Sequence, residues 1–437
     1  MRKRFAAMAA VVVALLAACS AAGSTPGSSS SGTAGGAPVA FSGFIGSPGA
    51  IEQSQAAVDA FNKANPAYNM TYVQGQANQA PYQQLLAMYA SGNVPSVFVL
   101  DSGDVPKLAD KLVDLSNEPF AKNLYPWAKE PGTVDGKLVA VPQGATGVGF
   151  VYNRKLIEDA IGGSFDPSTI KTNTDLAALF AKIQAAGKAP IIVSPVNWSL
   201  GAHFLGKFYD AQGDQAARKT FISDLKAGKA DVANNKVFNG LMDTFDLMLK
   251  YNVNKAAPIA GTVDTDAKAF ADGKAAFWFM GDFQWSTLAS YNVSPDGSNY
   301  GLMPVPVDND PADPYNQQLQ VTSAFMLAVD KSVSTPDQQK GALAYIDWYA
   351  NSKAGQDYAV NQLGSVSAFS NVTVEPNNPL GRSTLAAMSS GKTYTPTASL
   401  PADHWNILGD DMVKYIAGKL DRAGFAAAIT TYWKSQK

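Results

Sequence analysis

The side chains best suited to covalent chemistry are few. The chain has one cysteine, Cys19, and two histidines, His203 and His404. A single cysteine cannot form an internal disulfide, and a structural zinc site of the Cys/His type is excluded. No segment reads G-x-S-x-G, H-E-x-x-H or G-x-x-x-x-G-K-[ST], so nucleophile-elbow, zincin and P-loop chemistry have no sequence support. Acidic residues are plentiful but form no recognisable catalytic pair. Recognition chemistry remains: carboxylates that accept hydrogen bonds, and rings that pack on apolar faces. Asp101 follows the apolar run Val97–Leu100, and Trp198 follows Ile191–Ser194. Asp282, Phe283 and Trp285 cluster behind Gly281, and Trp405 stands beside Asp403 and His404.

The elements that must position these residues alternate between strand and helix. Phe41–Ile45 reads as a strand, and Ile51, Ala57, Val58, Ala60 and Phe61 give the next helix its apolar stripe before Asn65-Pro66 stops it. Tyr68–Val73 alternates like a strand, Pro81–Ala90 is helical, and Val97–Leu100 is a buried strand. Val105–Leu115 is a helix candidate. Leu138–Pro142 and Gly147–Tyr152 are strands, split by Gln143-Gly144-Ala145-Thr146. Thr174–Ala186 is a helix capped by Asn173 or Thr174. Ala275–Met280 and a single long strand Val321–Val329 follow, then a helix over Pro336–Asn351 and helical sequence from about Asp403 to Trp433. Continuous apolar strands between helices predict an α/β fold with sheets covered on both faces. The middle third reads as an insertion between parts of the first lobe. Ligands of open α/β sheets bind beyond the strand C-termini, so two such lobes make a cleft able to close on a small molecule.

The ends and the charge narrow the setting. Arg2, Lys3 and Arg4 precede an uncharged run from Phe5 to Ala18, too short to span a bilayer comfortably and flanked as a signal peptide is. The run ends in Leu16-Ala17-Ala18-Cys19, which resembles the bacterial lipobox, in which the cysteine is lipidated. Residues 1–18 are therefore expected to be a lipoprotein leader. Residues 19–38, rich in Gly, Ser and Ala, are expected to be a flexible tether. Cleavage before Cys19 removes those three bases from 34 and leaves 31 basic against 36 acidic residues, net −5. No basic excess exists to bind nucleic acid. Hydrophobic residues at 46% and charged residues at 16% describe an ordinary globular body. No other segment is apolar over the roughly eighteen residues of a membrane helix. The body is expected to work outside the cytoplasmic membrane, on its extracellular face, anchored by lipid.

Several segments carry a family likeness. They are Gly92-Asn93-Val94-Pro95-Ser96-Val97-Phe98 leading to Asp101-Ser102-Gly103-Asp104, then Val141-Pro142 and Phe150-Val151-Tyr152-Asn153-Arg154-Lys155-Leu156. Phe270-Ala271-Asp272-Gly273-Lys274-Ala275-Ala276-Phe277, Met280-Gly281-Asp282-Phe283-Gln284-Trp285 and Gly301-Leu302-Met303-Pro304-Val305-Pro306 complete the set. In this order, behind a lipobox, the chain resembles the extracellular solute-binding proteins (family 1) of ABC sugar importers, the family of the maltose-binding protein. The resemblance covers roughly residues 40–437. It implies the two-lobed, type II periplasmic-binding-protein-like fold with discontinuous domains. Lobe one is expected over 39–147 plus about 305–365, and lobe two over 148–304 plus about 366–437. It also implies an oligosaccharide ligand, delivery to the transmembrane subunits of an ABC permease, no cofactor and a monomer.

The resemblance assigns roles residue by residue. Asp101 stands where the family often carries a carboxylate for sugar hydroxyls; the alternative is a turn or N-cap aspartate. Asp104 is better placed to cap the helix from Val105. Thr146 falls near a family carboxylate position but offers only a hydroxyl. Phe283 aligns with the usual ring platform, Trp285 with a second, and Asp282 either caps a helix or accepts from a hydroxyl. Trp198 is a platform or a packed loop anchor, whereas Trp278, inside an apolar strand, belongs to the core. Trp405 lies thirteen residues before Gly418-Lys419, a spacing like that of the family's last platform. His404 reads as a polar loop residue, and Ser47 and Glu52 are further possible contacts. Gly364-Ser365-Val366-Ser367 lacks the proline of the family's Gly-x-x-Pro. The platforms together suggest a di- to tetrasaccharide. Two alternatives stay open: an extracellular glycoside hydrolase, which needs two carboxylates about 5–9.5 Å apart, and a binding protein for a metal or another non-sugar solute.

Overall fold

The computed structural model describes residues 37–43, 48–76, 81–291, 293, 297–323, 325–394, 396, 400–401 and 403–436. The expected leader, Cys19 and most of the expected tether lie outside the described residues, as does Ser47. The last two expected tether residues, Ala37 and Pro38, open a strand. No helix among the described residues is long and apolar enough to cross a membrane.

Two sheets organise the body. In the first, Tyr68–Gln74, Ala37–Gly43 and Val97–Asp101 run parallel. Phe325–Val329 lies antiparallel between Val97–Asp101 and Ala140–Pro142. Val97–Leu100 is unbroken in its apolarity because both faces are covered. Val97 and Val99 pack with Phe61, Tyr345 and Ile346 on one side, while Phe98 and Leu100 pack with Leu85, Val105 and Met326 on the other. The second sheet runs Thr393–Tyr394, Leu319–Thr322, Thr146–Asn153, Ala275–Gly281, Ala189–Ile192, with Tyr300–Met303 also paired to Thr146–Asn153. Trp278 is fully buried in it, donating its indole N–H to Ser194 Oγ at 2.9 Å, as a core tryptophan should.

The chain passes between sheets at short breaks. Residues 143–145 separate Ala140–Pro142 from Thr146–Asn153. The single strand expected over Val321–Val329 is two: Leu319–Thr322 belongs to the second sheet and Phe325–Val329 to the first. Ser323 turns inward at the break, its hydroxyl donating to the Gly144 carbonyl at 2.8 Å. Ala145 and Val366 exchange both backbone hydrogen bonds, at 2.6 and 2.8 Å. A Cβ on Gly144 would meet Ser365 Cβ at 2.5 Å, so only glycine lets these segments lie together. Sheet membership therefore departs from the expected lobe boundaries. Val305, Val307 and Leu319 pack with the second sheet, and Ala368, Phe369 and Val372 still pack with the first.

Two local expectations also change. The helix expected over Val105–Leu115 stops at Leu108, with one 3-10 turn to Lys111, because Leu112 bridges Asp330 and the Val113 N–H donates to Val329 O at 2.9 Å. The helix Asn173–Ala185 is capped by Thr172, whose hydroxyl accepts from the Asp175 N–H. Asn173 is buried and committed elsewhere: it donates to Gly240 O and accepts from Thr244 Oγ1 at 2.6 Å.

Candidate functional site

A cavity of about 370 Å³ opens where the C-terminal end of Val97–Asp101 faces the second sheet's lobe. Asp101 is the last residue of that strand, and its side chain makes no capping bond to the 3-10 turn Ser102–Asp104 that follows. The carboxylate, half-buried, lines the cavity. Burial, and then the charge of Asp104, pushes its pKa up to about 6 against the opposing pull of Lys107. Asp104 lines the same wall but does not cap the helix Val105–Leu108; it pairs with Lys107 Nζ at 2.6 Å. Glu52 is exposed on the helix Pro48–Ala64 and is not among the lining residues.

The opposite wall is built from rings and neutral polar groups. After Ile192 the chain runs into a π-helical turn, Ser199–Phe204. Trp198, expected in a loop, begins this helical segment. The wider turn keeps Leu200 and Phe204 in the core while His203 reaches the cavity. A Cβ on Gly201 would stand 2.3 Å from the Trp405 carbonyl, and one on Gly409 2.2 Å from the Asn197 carbonyl. These two glycines let the helix His404–Ile416 lie against the turn, which brings His404 and Trp405 to the cavity. Trp405 is 41% exposed there.

His404, expected as a polar loop residue, is buried. Its Nε2 lies 2.7 Å from Tyr209 Oη, which accepts from Trp433 Nε1 at 3.1 Å. An indole can only donate, so Tyr209 Oη accepts from Trp433 and also shares a hydrogen bond with Nε2 of His404, whose donor depends on the imidazole tautomer. Burial pushes the pKa of His404 down to about 3 and that of His203 down to about 4, so both rings are neutral at ordinary pH. Nδ1 of each has no hydrogen-bond partner among the described residues. Gln320, 1% exposed, also lines the cavity and pairs in register with Tyr394, which accepts from the buried Lys207 at 2.6 Å.

The sequence-chosen residues thus fall into four groups. Asp101 and Trp405 line the cavity from opposite walls. Trp198 and Phe283 sit one layer behind: with His203 they form a ring cluster with centroids 5.6–6.0 Å apart. Thr146 is half-buried in the crossover strand, in register with the lining residue Thr322. Asp282 and Trp285 point elsewhere. Asp282 is 1% exposed, and its Oδ2 accepts from the Gly147 N–H at 2.8 Å and Thr384 Oγ1 at 2.7 Å, tying the crossover strand to the helix Pro379–Ser389. Burial pushes its pKa up to about 7. Trp285 packs on Tyr300 with centroids 5.8 Å apart. His203 and Gln320 also line the cavity, and neither lies in a motif that marks it as a site residue. A lone glutamine inside the apolar strand Leu319–Thr322 is the one signal that pointed to the second. Among the described residues no three His, Cys, Asp or Glu side chains gather as a metal-holding group.

With this geometry in hand, the chain belongs to the bacterial extracellular solute-binding protein family, whose pattern it matches over residues 47–356. It is 28% identical over 155 residues to a probable sugar-binding periplasmic protein of Mesorhizobium japonicum. That match spans 34% of this chain and 36% of the relative, so it covers about a third of each. The fold is that of the apo form of RafE from Streptococcus pneumoniae, with TM-score 0.73, 17% identity, and coverage of 92% of this chain and 98% of that one. It is also that of the cyclic alpha-maltosyl-1,6-maltose binding protein from Arthrobacter globiformis, with TM-score 0.68, 17% identity, and coverage of 92% and 99%. The α/β, two-lobed fold expected from the sequence is the one observed.

Proposed function

We propose that this protein captures an oligosaccharide outside the cytoplasmic membrane and hands it to an ABC import permease, held at the membrane by a lipid on Cys19 and breaking no bond in its ligand. One observation carries the reading: a cavity with hydrogen-bonding carboxylates on one wall and an exposed indole with neutral polar groups on the other. A sugar ring has an apolar C–H face suited to Trp405 and hydroxyls suited to Asp101 and Gln320. Hydrogen bonds to a charged acceptor contribute about 1.5–3 kcal/mol each. Micromolar binding needs about 8 kcal/mol net, within reach of a few such bonds plus ring packing. The sugar ligands named for its structural neighbours, and the sugar-binding description of the Mesorhizobium relative, support the class. Asp282, Trp285 and the Trp198–Phe283 pair then act as framework, holding the crossover strand and His203 in place.

Titration calorimetry of the mature chain with neutral mono-, di-, tri- and tetrasaccharides tests this. The expected result is micromolar binding of a di- to tetrasaccharide that is recovered uncleaved. Absence of heat with every sugar, or release of cleaved products, contradicts it.

A further inference from the structure

The charges that line the cavity are of one sign. Asp101, Asp104 and Glu130 stand there, and among the described lining residues there is no Lys or Arg. The two lining imidazoles, His203 and His404, supply no positive charge, because burial holds both neutral. Lys107 is committed to Asp104 at 2.6 Å and stands over the Tyr82 ring. Lys207 is buried, donates to Tyr394 at 2.6 Å and is not among the lining residues. Asp101 makes no ion pair among the described residues. Glu130 is exposed; its Oε1 accepts from Gln215 Nε2, a neutral donor that leaves the charge in place. A group of carboxylates is no site by itself, but two further observations aim this one at a ligand. Gln320, 1% exposed, lines the same cavity, and its Oε1 has no hydrogen-bond partner among the described residues, so a buried acceptor is open to a donor. Trp405, on the opposite wall, presents an exposed indole, the best of the aromatic faces for a cation. The carboxylates do not suit a bare metal ion, since among the described residues no three His, Cys, Asp or Glu side chains gather to hold one.

We propose that the preferred ligand is cationic: an aminated oligosaccharide whose ammonium group lies between the carboxylate wall of Asp101 and Glu130 and the Trp405 indole, with Gln320 Oε1 as a further acceptor. This rests on the oligosaccharide reading above and adds the ligand's charge. An alkylammonium has three donors and no acceptor, which matches a wall rich in acceptors and poor in charged donors. Its hydrogen bonds to carboxylates are roughly twice as strong as those of a neutral hydroxyl. The same wall rejects an acidic sugar, whose carboxylate would meet like charges and no lining cation.

Calorimetry of the mature chain at about pH 7, where Asp101 has lost its proton and an amine keeps its own, is the test. The probes are the tightest neutral di- to tetrasaccharide and its analogues bearing an amine, an acetamide or a carboxylate in place of a single hydroxyl or hydroxymethyl group, taken position by position. The best amine analogue should bind about tenfold tighter than the neutral parent, and the acetamide at the same position, which carries no charge, should lose that gain. The carboxylate analogues should bind at least about tenfold more weakly than the parent. Added salt should shrink the amine's advantage. Glu130→Gln should lower the preference for the amine about threefold with the melting temperature unchanged, and Asp101→Asn should lower it further. Equal affinity for the neutral sugar and every amine analogue, or an amine preference that survives undiminished in both variants, overturns the cationic ligand while leaving the sugar reading intact. A wild type that binds no sugar, charged or neutral, overturns both.

Discussion

The two walls of the cavity solve the same problem with opposite chemistry. The lobe-one wall ends an apolar strand in the half-buried Asp101 and keeps carboxylates as its polar groups, the buried Asp104 balanced by the part-exposed Lys107. The lobe-two wall removes its polar groups from water and makes them neutral: His404 is locked to Tyr209 and Trp433, and the burial that orders it also strips its charge. Fixed, desolvated polar groups lose little freedom on binding, while carboxylates offer the strength of charged acceptors. The contrast assigns orientation and rigidity to lobe two and hydroxyl-binding strength to lobe one.

Breaking the rigid wall should cost most. His404→Ala leaves the Tyr209 hydroxyl without one hydrogen-bond partner and opens a cavity in a ring cluster, so chemical denaturation should show a loss of about 3 kcal/mol. Trp405→Ala removes an exposed ring; stability should hold within about 0.5 kcal/mol, while calorimetric affinity for the oligosaccharide falls about tenfold.

The walls should also answer pH with opposite signs. Asp101, raised from 3.8 to about 6, holds a proton in the folded chain that the unfolded chain has released between those values, so its contribution to stability is present below about pH 4 and is lost as pH rises through 6. His203, lowered from 6.5 to about 4, does the reverse: its contribution is present above about 6.5 and lost as pH falls through 4. Asp101→Asn should remove the first and leave the second, so its melting temperature should fall more steeply on acidification from pH 6 to 4 than the wild type's. Ligand affinity of the wild type should weaken below about pH 6 as the acceptor protonates, and that of Asp101→Asn should not. The smallest effect belongs to Lys107→Ala, which breaks a partly exposed ion pair and should cost no more than about 0.2–1 kcal/mol in denaturation, less at high salt.

The same contrast marks what could be read from the chain. Lobe one was legible because its site residue follows directly from a local pattern: four buried residues, Val97–Leu100, then Asp101 at the strand end. Helix Pro336–Asn351 was legible for a similar reason, with Pro336 at its start and an apolar stripe through it. Lobe two was not, since its groups acquire their roles from distant partners. His404 is decided by Tyr209, 195 residues away, and Asp282 by Thr384, 102 residues away. Nothing near Asp282 in sequence says that its carboxylate is already taken. The split of Val321–Val329 was hidden because both halves are apolar and extended; Ser323 marks the break only through its bond to Gly144. Trp198 read as a loop platform because a π-helical turn has no local signature of its own.

The central claim is that the charged wall and the ring wall grip one carbohydrate between them. A crystal structure of the mature chain with its tightest-binding oligosaccharide tests it most directly. The account predicts a sugar hydroxyl within hydrogen-bond distance of the Asp101 carboxylate and a sugar C–H face on the Trp405 indole in the same complex. A ligand seated away from both side chains, or held by one wall alone with the lobes apart, would contradict it.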